Sequence, residues 1–312
     1  VLRGDEGFTE IEAFAPGRRL GRRFVRRFQS DLSRLRSLRP DLVISDGDAP
    51  SIHAARWLRI PSLAINHGLI FWHCELPKHL PRWGLLREGV NAASSSWLSQ
   101  RRIAVHFSPL ESKDQRTYVA RPDVAFSPDD DAAAPTEDFI LTYFSVDAGT
   151  EALELLARTG RKIVCFTHAE ALPKGVVRMT PSASVFADHL RRCRAVVGLA
   201  GNSLPAECAI LQKPLFVLYR DGDLQTQMNA LLVEHAGIGT QSSFAELSLE
   251  KLQRFLSTID EPPARREDIE SMPPLSDVTG RGVVDDAASC MKTKYNSVLA
   301  SRLSRLNAIF SV

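Results

Sequence analysis

The chain has 312 residues, 44% of them hydrophobic and 24% charged, with a formal net charge of +2. That length suggests about two domains, and the near-neutral balance argues against a nucleic-acid binder working by bulk charge. No run reaches the roughly 18–20 apolar residues of a membrane span.

The start, Val1 to Glu10, is polar and charged, unlike a secretory leader, and a beginning without Met reads as trimmed or mis-set. Residues 18–39 form an amphipathic helix on the pattern Leu20, Phe24, Phe28, Leu32 and Leu35, with Arg18, Arg19, Arg22, Arg23, Arg26 and Arg27 along the flank. Pro40 marks its end. A short buried strand, 41–45, leads into the loop Asp46 to Pro50. A helix over about 51–58 follows, then a second strand, 61–65, ending at Asn66, His67 and Gly68. Strand, helix and strand with short loops make a parallel βαβ unit. Loops at the carboxyl ends of such strands face the ligand crevice, and Asp46 and His67 both lie in them. A strand at 103–107 closes this half.

The small-residue stretch 127–135, with its two prolines, is the best linker in the chain. Strand–helix alternation then restarts, with strands at 139–144, 162–166, 195–199 and 214–219. Helices are expected near 147–159, 183–192, 203–211 and 224–236. Residues 260–280 read as Pro-rich and irregular, and the last thirty as a final amphipathic helix. The fold class is α/β, with two Rossmann-like doubly wound domains. The expected boundaries are 1–130 for an incomplete N-terminal domain, 131–275 for the second, and 276–312 for a helix packing back on the first.

The informative segment runs from Val196 to Gly237. A strand ends at Ala200-Gly201, Asn202 follows, and a helix starts near Ser203, with Pro205 in its first turn. A helix N-terminus offers unpaired N–H groups and a positive dipole end, which suits a diphosphate. Glu207 lies one turn in, where a carboxylate can accept hydrogen bonds from two ribose hydroxyls.

This segment resembles the C-terminal domain of GT-B glycosyltransferases, among them the lipid-linked peptidoglycan precursor GlcNAc transferase and the plant-type and macrolide-type enzymes. The matching series is Gly201, Ser203, Glu207, Pro214, Asp223, Gln225, Asn229 and Ala230. The resemblance covers roughly residues 38–70 and 138–240. It implies a nucleotide-diphospho-sugar (a UDP-sugar, for instance) as donor, an unknown acceptor, and no cofactor or metal. It also implies donor contacts from Ala200, Gly201, Asn202, Ser203, Glu207, Asp223, Gln225, Thr226 and Asn229, with Gly201 and Ser203 on phosphate and Glu207 on ribose. Asp46 and His67 are the candidates for the base of an inverting displacement. The chain departs from the pattern in three places. Residues 1–20 show no opening strand with a Gly-rich, His-containing loop, so the acceptor domain is expected to be incomplete. Ala200 stands where a His or Ser often precedes the Gly. Thr226 stands where a Gln is usual, flanked by Gln225 and Gln227.

Plainer readings stand beside these. Gly201 and Ser203 also suit a simple turn and helix cap, Glu207 a solvated helix residue, Asp46 a cap for the following helix, and His67 a satisfied loop histidine. The other histidines have no metal-ligand spacing, and Asp129 to Asp131 fit a solvated linker better than a metal motif. Cys74, Cys165, Cys193, Cys208 and Cys290 occur singly, which fits core residues in a reducing cytoplasm. The arginine row is either a solvated face or a dock for an anionic membrane surface. No aromatic platform accompanies it, which disfavours nucleic acid. A nucleotide-sugar 2-epimerase and a non-catalytic homologue are the alternative functions.

Overall fold

A computed structural model of the chain describes residues 17–124, 136–144, 149–260 and 266–279. The expected linker at 127–135, the final helix beyond Thr279, Cys290 and the opening sixteen residues lie outside these.

The first half opens with α1 (Gly17–Leu38), followed by β1 (Val43–Asp46), α2 (Ala49–Leu58) and β2 (Ser62–Asn66). A 3-10 turn at His67–Leu69 leads into α3 (Ile70–His73), α4 (Arg82–Ser96), β3 (Arg101–Val105) and β4 (Thr117–Ala120). The four strands form one parallel sheet in the order β1-β2-β3-β4. Phe28, Leu32 and Leu35 of α1 pack against Val43, Ala54 and Ala55. Arg27 turns inward, its guanidinium 3.5 Å from both the partly buried Asp48 and the buried Asp31.

The second half holds β5 (Ile140–Tyr143), α5 (Thr150–Ala157), β6 (Ile163–Phe166), β7 (Val176–Met179), α6 (Ala183–Arg192) and β8 (Ala195–Leu199). After them come α7 (Ser203–Ile210), β9 (Leu215–Tyr219), α8 (Leu224–His235), β10 (Gly239–Ser243) and α9 (Leu249–Ser257). Its parallel sheet runs β10-β9-β8-β5-β6-β7, so the winding reverses between β8 and β5. Buried strands such as β6 and β8 are almost wholly apolar because helices cover both faces.

Three expectations need correction. Residues 260–280 are not irregular throughout: α10 (Arg266–Glu270) packs on α7, and α11 (Leu275–Thr279) returns to β3 and β4. Both are too short for a helical period to show. The third strand begins at Arg101 rather than Ile103, because Arg102 can be buried there against Asp114 at 3.2 Å. Strands β4, β7 and β10 were not expected, and each lies at a sheet edge, where one-sided burial removes the continuous apolar run.

The two halves meet where α4 crosses α8. A Cβ on Gly84 would come within 2.9 Å of the Met228 Sδ. Gly84→Val should therefore destabilise the protein by about 1–3 kcal/mol through overpacking, read from the denaturant midpoint. Adding Met228→Ala should recover part of that loss; no recovery would mean that the contact is slack.

Candidate active site

Where the winding of a parallel sheet reverses, the loops at the carboxyl ends of the two central strands diverge and leave a crevice. Here those strands are β8 and β5. Leaving β8, the chain passes the buried Ala200, then Gly201 and Asn202, and enters α7 at Ser203. A Cβ on Gly201 would meet no atom within 4 Å, and its φ is not in the left-handed region. Neither packing nor backbone geometry calls for glycine there; the open space in front of it would admit a close ligand.

Asn202, not Ser203, is the capping residue, and its side chain makes no capping hydrogen bond. Ser203 is exposed as the first helical residue. The N–H groups opening α7 thus lack a side-chain acceptor, the condition under which a helix start binds an anion. One turn further, Glu207 is partly buried, and its carboxyl has no hydrogen bond or ion pair among the described residues. Burial pushes its carboxyl up to about 7.

The loop after β9 brings Asp223 to the start of α8, where its carboxylate accepts from the Thr226 N–H at 3.2 Å. Gln225 and Thr226 occupy that first turn, partly buried. Asn229, one turn on, points into the seam between the halves. Its Nδ2 donates to the Ala200 carbonyl at 3.1 Å, and its Oδ1 lies 2.6 Å from His67 Nε2. The other ring nitrogen of His67, Nδ1, faces the Val105 carbonyl at 2.9 Å. The ring stacks on His106, centroids 5.3 Å apart.

Both ends of this chain of groups are carbonyls, which only accept. A neutral imidazole leaves one of the line's three contacts without a proton. An imidazolium would satisfy all three, but burial pushes the His67 pKa down. Either way neither ring nitrogen is open to an acceptor molecule. Burial, with His67 alongside, also brings His106 down to about 3.

Asp46 stays exposed at the end of β1, its Oδ1 accepting from Asn66 Nδ2 at 2.9 Å. The cap of α2 is Asp48, which accepts from the Ser51 N–H. Sequence reasoning thus placed the residues around β8 and α7 together, while the His67–Asn229 contact across the seam went unseen. It also missed Asn66, His106 and the buried carboxyl of Glu88 on α4. An amide ending a strand and a His directly after one are too common to single out. No cluster of three or more His, Cys, Asp or Glu suited to a metal occurs among the described residues. None of their helices is long and apolar enough to cross a membrane.

A family model described as glycosyl transferase family 1 matches residues 22–260. No curated protein matches. Among solved structures, the chain is similar to the glycosyltransferase VinC, solved in complex with DTDP, at 14% identity and a TM-score of 0.59, covering 84% of this chain and 75% of that one. MurG of Acinetobacter baumannii follows at 13% identity and 0.56, covering 88% and 79%. The calicheamicin glycosyltransferase CalG4 gives 16% and 0.54, covering 86% and 78%. At these identities the likeness is one of fold, the two-sheet GT-B architecture.

Because His67 and Asn229 share one buried contact, a double-mutant cycle (His67→Ala, Asn229→Ala and both) should show a coupling of roughly 0.5–3 kcal/mol in unfolding free energy. Strict additivity would mean that the seam does not depend on this pair.

Proposed function

We propose that this chain, which belongs to glycosyl transferase family 1 and is a glycosyltransferase, takes its sugar from a nucleotide-diphospho-sugar held where β8 runs into α7. The observation that carries this is Glu207: a partly buried carboxyl with no side-chain partner among the described residues, one turn into a helix whose first N–H groups have no side-chain cap. The diphosphate lies against those N–H groups and the open side of Gly201, and the two ribose hydroxyls donate to Glu207. Asp223, Gln225 and Thr226, at the start of α8, face the donor from the next loop.

Transfer is a single inverting displacement. An acceptor hydroxyl oxygen bonds to the anomeric carbon as the bond from that carbon to the diphosphate oxygen breaks, and a base takes the hydroxyl proton. The charge left on the diphosphate is stabilised by the N–H groups opening α7. Asp46 is the base candidate open to solvent, oriented by Asn66. His67 contributes as a positioning residue through its contact with Asn229. The acceptor is a hydroxyl compound of open identity. An anionic membrane surface is its proposed setting, met through α1, on which Arg22 and Arg26 are exposed while Arg27 is taken by Asp31 and Asp48.

Glu207→Ala should weaken nucleotide-diphosphate binding at least about tenfold, since a hydrogen bond to a charged group contributes about 1.5–3 kcal/mol. Glu207→Gln should cost less. Equal affinities in folded wild type and Glu207→Ala would remove the reading's main support.

The raised pKa makes two further results readable. Below about 7 the carboxyl is protonated and, uncharged, accepts more weakly from the two hydroxyls, so affinity should rise with pH up to about 7 and then level. Glu207→Gln, which reports the nucleotide's own titration, should lack that component. In the free protein the folded state holds the Glu207 proton more tightly than the unfolded chain, whose value is near 4.5. Stability contributed by this group is therefore lost as pH rises from about 4.5 to about 7. At pH 8, Glu207→Gln should accordingly melt higher than wild type, by the equivalent of roughly 1–3 kcal/mol. An unchanged melting temperature would mean that the carboxyl is solvated.

A further inference from the structure

Helix α4 is built inside out. Its buried positions are Gly84, Glu88, Gly89, Ala92, Ser95 and Ser96. Its large apolar side chains point outward: Trp83 is 64% exposed, Leu86 57% and Val90 50%, with Trp97 at the C-cap 72% exposed. Spacings of three, four and seven residues put these four on one face, a stripe about 20 Å long at 1.5 Å per residue. Trp72, 49% exposed, lies along its flank, its ring 3.3 Å from where a Gly89 Cβ would be. All four tryptophans of the chain are exposed, and three belong to this surface. A soluble monomer seldom leaves so contiguous an apolar patch to water.

The charge beside the stripe has one sign. A groove of about 800 Å³ runs from Trp72, Leu86 and Trp97 to Arg102, Lys113 and Arg116. The acid in that groove, Asp114, is taken by Arg102 at 3.2 Å and by His73. Lys113, Arg116 and Arg82 at the head of α4 are exposed. Tryptophan beside cationic side chains fits the boundary between acyl chains and anionic headgroups, where the indole ring is amphipathic enough to sit. Among the described residues none covers the stripe. Helix α11 packs with Leu63, Ile65 and Ile103, on the sheet face opposite Ala64 and Ala104, which the α2–α3 side covers.

We propose that the outer face of α4 seats the enzyme on an anionic phospholipid bilayer, with Trp83, Leu86, Val90 and Trp97 entering the headgroup boundary and Lys113 and Arg116 meeting lipid phosphates. This surface is distinct from the arginine row of α1, and the argument for it does not depend on the donor site.

The test is co-sedimentation and tryptophan emission of the full chain with vesicles of mixed phosphatidylglycerol and phosphatidylcholine. Wild type should sediment with a blue-shifted emission that partly survives high salt, since apolar contact is not screened as charge is. Trp83→Ser with Leu86→Ser and Val90→Ser should lose at least about tenfold in partitioning while keeping its thermal shift with nucleotide diphosphate. Arg22→Gln with Arg26→Gln should keep the blue shift. No binding by wild type at low salt would overturn the proposal, as would equal binding by the triple variant. A blue shift that grows with protein concentration without lipid would also overturn it, by assigning the stripe to a second copy. Should the triple variant fail to fold, wild type with brominated acyl chains decides: quenched tryptophan emission supports insertion, and unquenched emission overturns it.

Discussion

Two carbonyls, those of Val105 and Ala200, enclose a histidine from one half of the chain and an asparagine from the other. His67 and Asn229 meet between them, 162 residues apart in sequence. The rest of the site depends on this contact. The His67 ring sits at the exit of β2 and touches the exit of β3, while the Asn229 amide ties the second turn of α8 to the exit of β8. One short line of polar contacts thus aligns the carboxyl ends of both sheets on a common seam. It is buried, so losing either partner leaves the other with an unpaired polar group, which costs more than the bond itself contributes.

The same burial divides the polar residues of the region by role. Asn229 and His67 have their polar atoms engaged by protein. Asp48, Asp223 and Asn66 are occupied with helix caps and turns. Glu207 is different: shielded enough to hold its proton near neutrality, it has no described partner. A carboxyl in that state is destabilising unless something arrives to donate to it, and the start of α7 beside it is shaped for an anion. The nucleotide-sugar reading needs these two features to sit together, and they lie one helical turn apart on α7.

Helix α4 shows what close approach of the two halves requires. Gly84 lets α4 lie against Met228, and small residues continue along the same side. With bulk excluded from the inner face, the large apolar side chains stand outside. Read as a periodic pattern, such a helix has its apolar stripe on the wrong side, which is why a sequence reading passed over it.

Much of the architecture was legible in the chain itself, because strands buried on both faces must be apolar throughout and helices between them must show a period near 3.6. β1, β2, β5, β6, β8 and β9 followed from this, as did α1, α2, α6, α7 and α8, and the series from Gly201 to Asn229 marked the side on which the donor is proposed to bind. Edge strands β4, β7 and β10 escaped because one-sided burial leaves no apolar run. Which residue caps a helix, Asp48 or Asp46, Asn202 or Ser203, depends on backbone angles that composition does not carry. Only the folded arrangement decided that His67 and Asn229 spend themselves on each other while the Glu207 carboxyl has no partner among the described residues. Partnership and burial are properties of pairs far apart in the chain, and no local pattern of residue types encodes them.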